Sequence, residues 1–288
     1  MKKFRILLVV SLSVMLIIST CMVCLHLFQA RVSEEADRTA AHLAKPVPEV
    51  PVPESQPLPS VHTVSLEVID REVFLSDPAA EALLAMDLAS LTEVNPDVQG
   101  WISIPGTNIS YPLMQSADND YYLNNTWDHK ASYRGSIFLE CRSSAALDDF
   151  NTIIYGHNLL DGTMFSQLHR YKNADFFREN PYIYIVNDSG VYRYRIFSAY
   201  EVPTNASAYR LRFTDEQKQA FLDDSLRLSV QDAGVIPTTE DHILTLSTCT
   251  GVIRSNRWVI QAVLEGQVLP PREFKLLTPD SQTALLFD

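Results

Sequence analysis

The stretch HILTLSTCTG, residues 242–251, decides how the rest of the chain is read. From Ile243 to Thr248, apolar residues alternate with threonine and serine, the period of a strand. The run delivers a cysteine, Cys249, and breaks at Gly251. A cysteine at a strand end is core filler, half of a disulfide, or a nucleophile. The third role requires a base and an oxyanion stabiliser from elsewhere in the chain.

Working outward, the next strand pattern begins at Arg257 in RSNRWVIQAV, eight residues beyond Cys249. Two antiparallel strands joined by a short loop bring such residues together, so Arg257 is a candidate partner and Arg254, inside the loop, the alternative. The candidate base is His157 in NTIIYGHN, where a strand delivers a histidine just past Gly156. A glycine there permits a tight turn into a groove. His129 and His169 sit among polar neighbours and read as surface residues, while His242 merely begins the cysteine strand. Thiolate, imidazole and guanidinium together suit acyl transfer: attack on a carbonyl, protonation of a leaving amine, stabilisation of the oxyanion. At ordinary pKa values of about 8.5 and 6.5, the thiolate–imidazolium pair is on the order of 1% of the protein near neutrality, so such an enzyme is slow. Cys141 and Cys249 show no C-x-x-C spacing and no histidines stand three to five residues apart in pairs, so no metal site is expected.

The remainder of the chain sets the context. A formal net charge of −12 with no basic patch argues against nucleic acid as a partner. Lys2, Lys3 and Arg5 precede an uncharged apolar run, Ile6–Phe28, long enough to cross a bilayer core of about 30 Å. The flanking charges predict a cytoplasmic N-terminus (residues 1–5), a membrane helix over 6–28 and an extracellular remainder. A cleaved signal peptide is the competing reading, but the run exceeds a normal apolar segment and no A-x-A-like site follows. Six prolines between Pro46 and Pro59 predict an extended, semi-rigid stalk, placed at residues 29–64. A catalytic domain is expected at 65–269, and a tail of no assigned role at 270–288. Cys21 and Cys24 fall inside the apolar run, leaving Cys141 and Cys249 outside, either paired or free.

Within the domain, Ser76–Leu91 reads as one helix, with Asp77 to cap it and Pro78 in its first turn. Short runs such as GSIFLE, YIYIVN and VYRYRIFSAYEV predict many strands, closed as a barrel or packed as a sandwich. A helix over Thr214–Val230 opens on a capping box of Thr214 and Gln217 and presents an apolar stripe through Phe221, Leu222, Ser225, Leu226 and Leu228.

The motifs TLSTC (245–249), YGHN (155–158) and RWVIQAVL from Arg257 resemble those of the sortases, cysteine transpeptidases of Gram-positive bacterial surfaces. The ordered segments NPDVQGWISIPGTNISYPLMQSADNDYYL, GSIFLE and MFSQLHRY resemble class B, and the resemblance runs from about Leu83 to Val268. It implies a mainly β fold: a closed eight-stranded barrel with N-terminal helices and one extra helix before the cysteine strand. It also implies Cys249 as nucleophile, His157 as general acid/base and Arg257 as the oxyanion or substrate-positioning residue. By the same comparison, Asn119, Leu123, Tyr155, Ser247 and Thr248 line a groove for a sorting signal. The implied substrates are exported surface proteins cleaved after threonine in a C-terminal sorting signal. Acceptors are an amine of a cell-wall precursor or a lysine of another surface protein; no cofactor is implied. Thr250 departs from the acidic residue many relatives carry, Cys141 from the family's usual residue, and the tail after Pro270 is long. A secreted cysteine peptidase and a tethered binding module without catalysis are the rival readings.

Overall fold

The computed structural model describes residues 2–45, 77–250 and 255–268. Residues 1, 46–76, 251–254 and 269–288 lie outside the described residues, and with them most of the expected stalk, Arg254 and the C-terminal segment of no assigned role.

The first element, α1 (Lys2–Leu43), carries the apolar run but does not stop with it. The expected stalk therefore does not begin at residue 29: residues 29–43 are helical. The sequence contains the reason. Ser33, Ala36, Ala40 and Ala44 recur at helical spacing and are buried, while Glu34, Glu35 and Arg38 point outward. Small side chains on one face let the helix lie close against the domain. Proline, which breaks helices, first appears at Pro46.

The single helix expected over Ser76–Leu91 is two: α2 (Pro78–Leu84) and α3 (Ala89–Val94). Asp77 caps the first, accepting from the Ala79 amide at 3.0 Å. Asp87 breaks the run, its carboxylate accepting from the Ser90 amide at 3.0 Å and hydroxyl at 2.6 Å. A carboxylate that competes for helical amides favours a new start over continuation.

The strands are β1 (Val98–Ser103), β2 (Ser110–Met114), β3 (Ile137–Leu139), β4 (Asn151–Tyr155), β5 (Tyr182–Asn187), β6 (Gly190–Pro203), β7 (Ile243–Cys249) and β8 (Asn256–Val268). They close into a barrel in the order β1-β2-β3-β4-β7-β8-β6-β5, settling the choice between barrel and sandwich. Ile102, Leu113, Leu139, Ile154, Leu244, Leu246 and Ile260 are buried in one core. A second cluster, including Ala36, Ala40, Leu91, Trp101, Tyr122 and Trp127, joins α1, α2 and α3 to the barrel. Among the described residues, two further α-helices are α4 (Ala174–Glu179) and α5 (Asp215–Leu228). The latter opens on the expected capping box and buries Phe221, Leu222 and Ser225.

Two pairings set up the site. Strands β4 and β7 run parallel and in register from Asn151↔Ile243 to Tyr155↔Ser247. Strand β7 then pairs antiparallel with β8, with Cys249 opposite Arg257.

Candidate active site

Because β4 and β7 are parallel, they end on the same side of the barrel, about 4.8 Å apart. Two contacts beyond the strand hold the chain around His157 against β7. The Gly156 amide donates to the Ser247 carbonyl at 3.2 Å, and Asn158 Nδ2 donates to the Cys249 carbonyl at 2.9 Å. His157 lies between these anchors, half-buried. Its Nε2 is 2.8 Å from the Leu123 carbonyl. With Nε2–H donating there, Nδ1 is left as the nitrogen able to exchange a proton.

Gly156 serves packing rather than the turn. Its φ is not among the positive ones. A Cβ placed there would come within 2.5 Å of Ile137 Cδ1 and 2.7 Å of the Phe165 ring.

On the other flank, the antiparallel register sets Arg257 directly across from Cys249, a placement that typically leaves Cβ atoms about 4.5–5.5 Å apart. Its Nη1 donates to the Asn256 carbonyl at 3.1 Å. Cys249 is partly exposed and, like Cys141, a free thiol. Cys249 and Arg257 thus face each other at the end of β7 and the start of β8, and His157 follows two residues after the end of the neighbouring β4.

The carbonyl of Cys249 takes a second donor, His169, whose Nε2 is 3.0 Å away. His169 is not the surface residue expected. It is half-buried and stacked on Trp258, with ring centroids 5.9 Å apart. Burial lowers its pKa, nearby Lys172 adds to this, and the bond to the Cys249 carbonyl opposes it. His129 is exposed as expected, and His242 sits at the start of β7 with Nδ1 3.0 Å from the Asp149 carbonyl.

The residues expected to line a groove divide. Asn119 and Tyr155 meet on the Glu140 carboxylate, at 2.6 Å and 3.1 Å. Tyr155 stacks with Tyr209 at 6.5 Å, and the Tyr209 hydroxyl is 2.8 Å from Ser247 Oγ. Leu123 is half-buried and offers His157 its backbone carbonyl. Thr248 does not join them. Alternation along β7 puts it opposite Trp258 on the core side, away from Ser247 and Cys249, with Oγ1 buried and unpartnered.

Glu140 and Tyr209 escape sequence reasoning. Burial pushes the Glu140 carboxyl up, but hydrogen bonds from Arg142, Asn119 and Tyr155 outweigh it and hold it below the usual range. The one hint in the sequence is a carboxylate ending the apolar strand GSIFLE. Burial raises the Tyr209 hydroxyl, against the pull of Ser247 and of the Arg257 charge, and the Cys249 sulfur pushes it further up. Nothing in its surroundings, SAYR, marks it. Among the described residues no cluster of three or more His, Cys, Asp or Glu side chains forms a metal site.

The family model described as "Sortase domain" matches residues 102–265. Sortase B of Staphylococcus aureus is 38% identical over 161 residues, which span 56% of this chain and 66% of that protein. The X-ray structure of Clostridium perfringens sortase B superposes with a TM-score of 0.59 at 32% identity, covering 62% of this chain and 99% of the other. A Staphylococcus aureus sortase B–substrate complex superposes at 0.58 and 36% identity, covering 61% of this chain and 83% of the other. With the family model spanning more than half of the chain and the barrel shared with these structures, the chain belongs to the sortase family of cysteine transpeptidases, and to its class B.

Proposed function

We propose that the protein is a single-pass, membrane-anchored sortase. It cleaves a C-terminal sorting signal of exported surface proteins after threonine and transfers the new acyl end to an amine. The observation that carries the reading is the register that sets Arg257 opposite Cys249, with the segment carrying His157 bonded to the end of the same strand through Gly156 and Asn158.

The Cys249 thiolate attacks the scissile carbonyl, and the Arg257 guanidinium balances the negative charge that develops on its oxygen. His157, held through Nε2 by the Leu123 carbonyl, protonates the leaving amine as the intermediate collapses to a thioester. An incoming amine then attacks the thioester, His157 takes its proton, and the thiolate leaves. Asn158 and His169 hold the backbone of the nucleophile by its carbonyl. Asn119, Leu123, Tyr155 and Ser247 form the outer face on which the sorting signal lies, and Tyr209 joins them through Ser247.

The substrate complex of a relative supports a peptide groove, and a related sortase B complexed with triglycine supports an amine as acceptor. The anchor rests on α1, which is long and apolar enough to cross a membrane. Lys2, Lys3 and Arg5 support a cytoplasmic N-terminus and an extracellular barrel.

The test offers a sorting-signal peptide with and without an amine acceptor and weighs the products. Transpeptidation gives a product heavier than the free acid by the acceptor amine less one water. Free acid alone, whatever amine is supplied, would make the protein a cysteine peptidase instead.

A further inference from the structure

The contacts between α1 and the barrel begin before the apolar run has ended. The His26 ring stacks on Tyr133, with centroids 4.0 Å apart. One turn further, Arg134 Nη1 donates to the Ala30 carbonyl at 3.3 Å, while Nη2 lies 3.5 Å from the Asp161 carboxylate. The Ser33 and Ser132 hydroxyls then bond, and Trp127 Nε1 donates to the Ala36 carbonyl at 2.8 Å. No spacer separates the last apolar turn of the helix from the domain.

Depth follows from helical rise. At 1.5 Å per residue, Ala30 stands about 3 Å beyond Phe28. A bilayer's headgroup layer is about 5–8 Å thick on each side. Arg134, bonded to Ala30 and Asp161 at once, therefore ties Asp161 to that layer. Leu160, immediately before it, is fully exposed at the tip of a turn closed by the Gly162 amide on the Leu159 carbonyl at 3.2 Å. The turn belongs to the loop that leaves β4 through His157. A lone exposed leucine is ordinary on a protein surface. This one lies within two side chains' reach of the end of a membrane-length helix, whose last apolar turn stacks through His26 on Tyr133, a residue type enriched at that depth.

We propose that the turn around Leu160 rests on the bilayer that α1 crosses, with Leu160 inserted among the phospholipid headgroups on the barrel's side. The loop carrying His157 is thereby held at headgroup depth. A substrate or acceptor tethered in the same bilayer meets the site at its own height, whereas a free peptide does not. The inference rests on α1 being a membrane anchor.

The test places the full-length Leu160→Trp protein in vesicles of equal parts phosphatidylcholine and phosphatidylglycerol, with and without a nitroxide-labelled headgroup. The expected result is that about half or more of the emission added over the parent protein is quenched by the labelled headgroups. A flexible Gly-Ser segment inserted between Phe28 and Gln29 lifts the barrel and should reduce that quenching by about twofold or more. A protein that floats with the vesicles yet shows no added quenching, or equal quenching with the insertion, overturns the inference alone. A protein that does not float with the vesicles overturns the anchor as well, and neither result bears on acyl transfer.

Discussion

At the scale of single residues, two of the groove residues, Asn119 and Tyr155, depend on one buried carboxylate. Glu140 is 3% exposed at its side chain and accepts from Asn119, Tyr155 and Arg142. Its folded pKa is depressed, so its contribution to stability is present above the unfolded value and is lost as pH falls through the folded one. Glu140→Gln should flatten the acid limb of the stability curve, measured by denaturant unfolding from pH 3 to 7. It should also raise KM for a sorting peptide more than it lowers kcat. Gly156→Ala should cost about 1–3 kcal/mol, because its Cβ meets Ile137 and Phe165 in a filled core; the unfolding midpoint measures it. The placement of Cys249 and Arg257 at strand ends, and of His157 just past one, is legible in the sequence. Thr248 is not, because the motif TLSTC suggests one surface while period-two alternation sends neighbours to opposite faces. His169 is not either, because polar neighbours in sequence say nothing about the Trp258 ring that covers it.

At the scale of elements, α1 departs furthest from its sequence reading. Proline composition suggests a stalk, but the prolines begin only after QARVSEEADRTAAHLA, whose small residues recur on one helical face. That docked face contains Asp37, between α1 and the barrel wall beside Tyr111, Trp127 and Met164. Burial pushes its carboxyl up to about 7; Arg134 opposes this, while Asp128, Asp161 and Glu34 add to it. The docked helix therefore binds a proton that the detached chain, with its ordinary carboxylate pKa, has already lost. Docking is firmest below about pH 4 and weakens as pH rises through about 7. Asp37→Asn should remove this slope, seen as a melting temperature that no longer falls between pH 5 and 8. The lone helix expected over Ser76–Leu91 fails for a similar local reason. Its composition is helical throughout, but Asp87 turns back on Ser90 and starts a second helix.

At the scale of the whole molecule, strand positions and closure are not equally legible. Individual strands follow from short runs rich in β-branched and aromatic residues: β4 lies at Asn151–Tyr155, as NTIIY indicates. Closure depends on non-local pairings, such as parallel β4 with β7 across some ninety residues, and no local pattern encodes them. The barrel is implied by the resemblance to the sortases, and the register then explains the site: parallel β4 and β7 end together, and antiparallel β8 begins where β7 stops. The central claim is that this junction makes the Cys249 sulfur a nucleophile. Intact-mass analysis of the protein after a brief exposure to a sorting-signal peptide tests it most directly. The expected result is a mass gain equal to the acyl fragment of the peptide, carried on Cys249, discharged by added amine and absent from a folded Cys249→Ala variant. An adduct that persists in Cys249→Ala, or full activity in that variant, would contradict it.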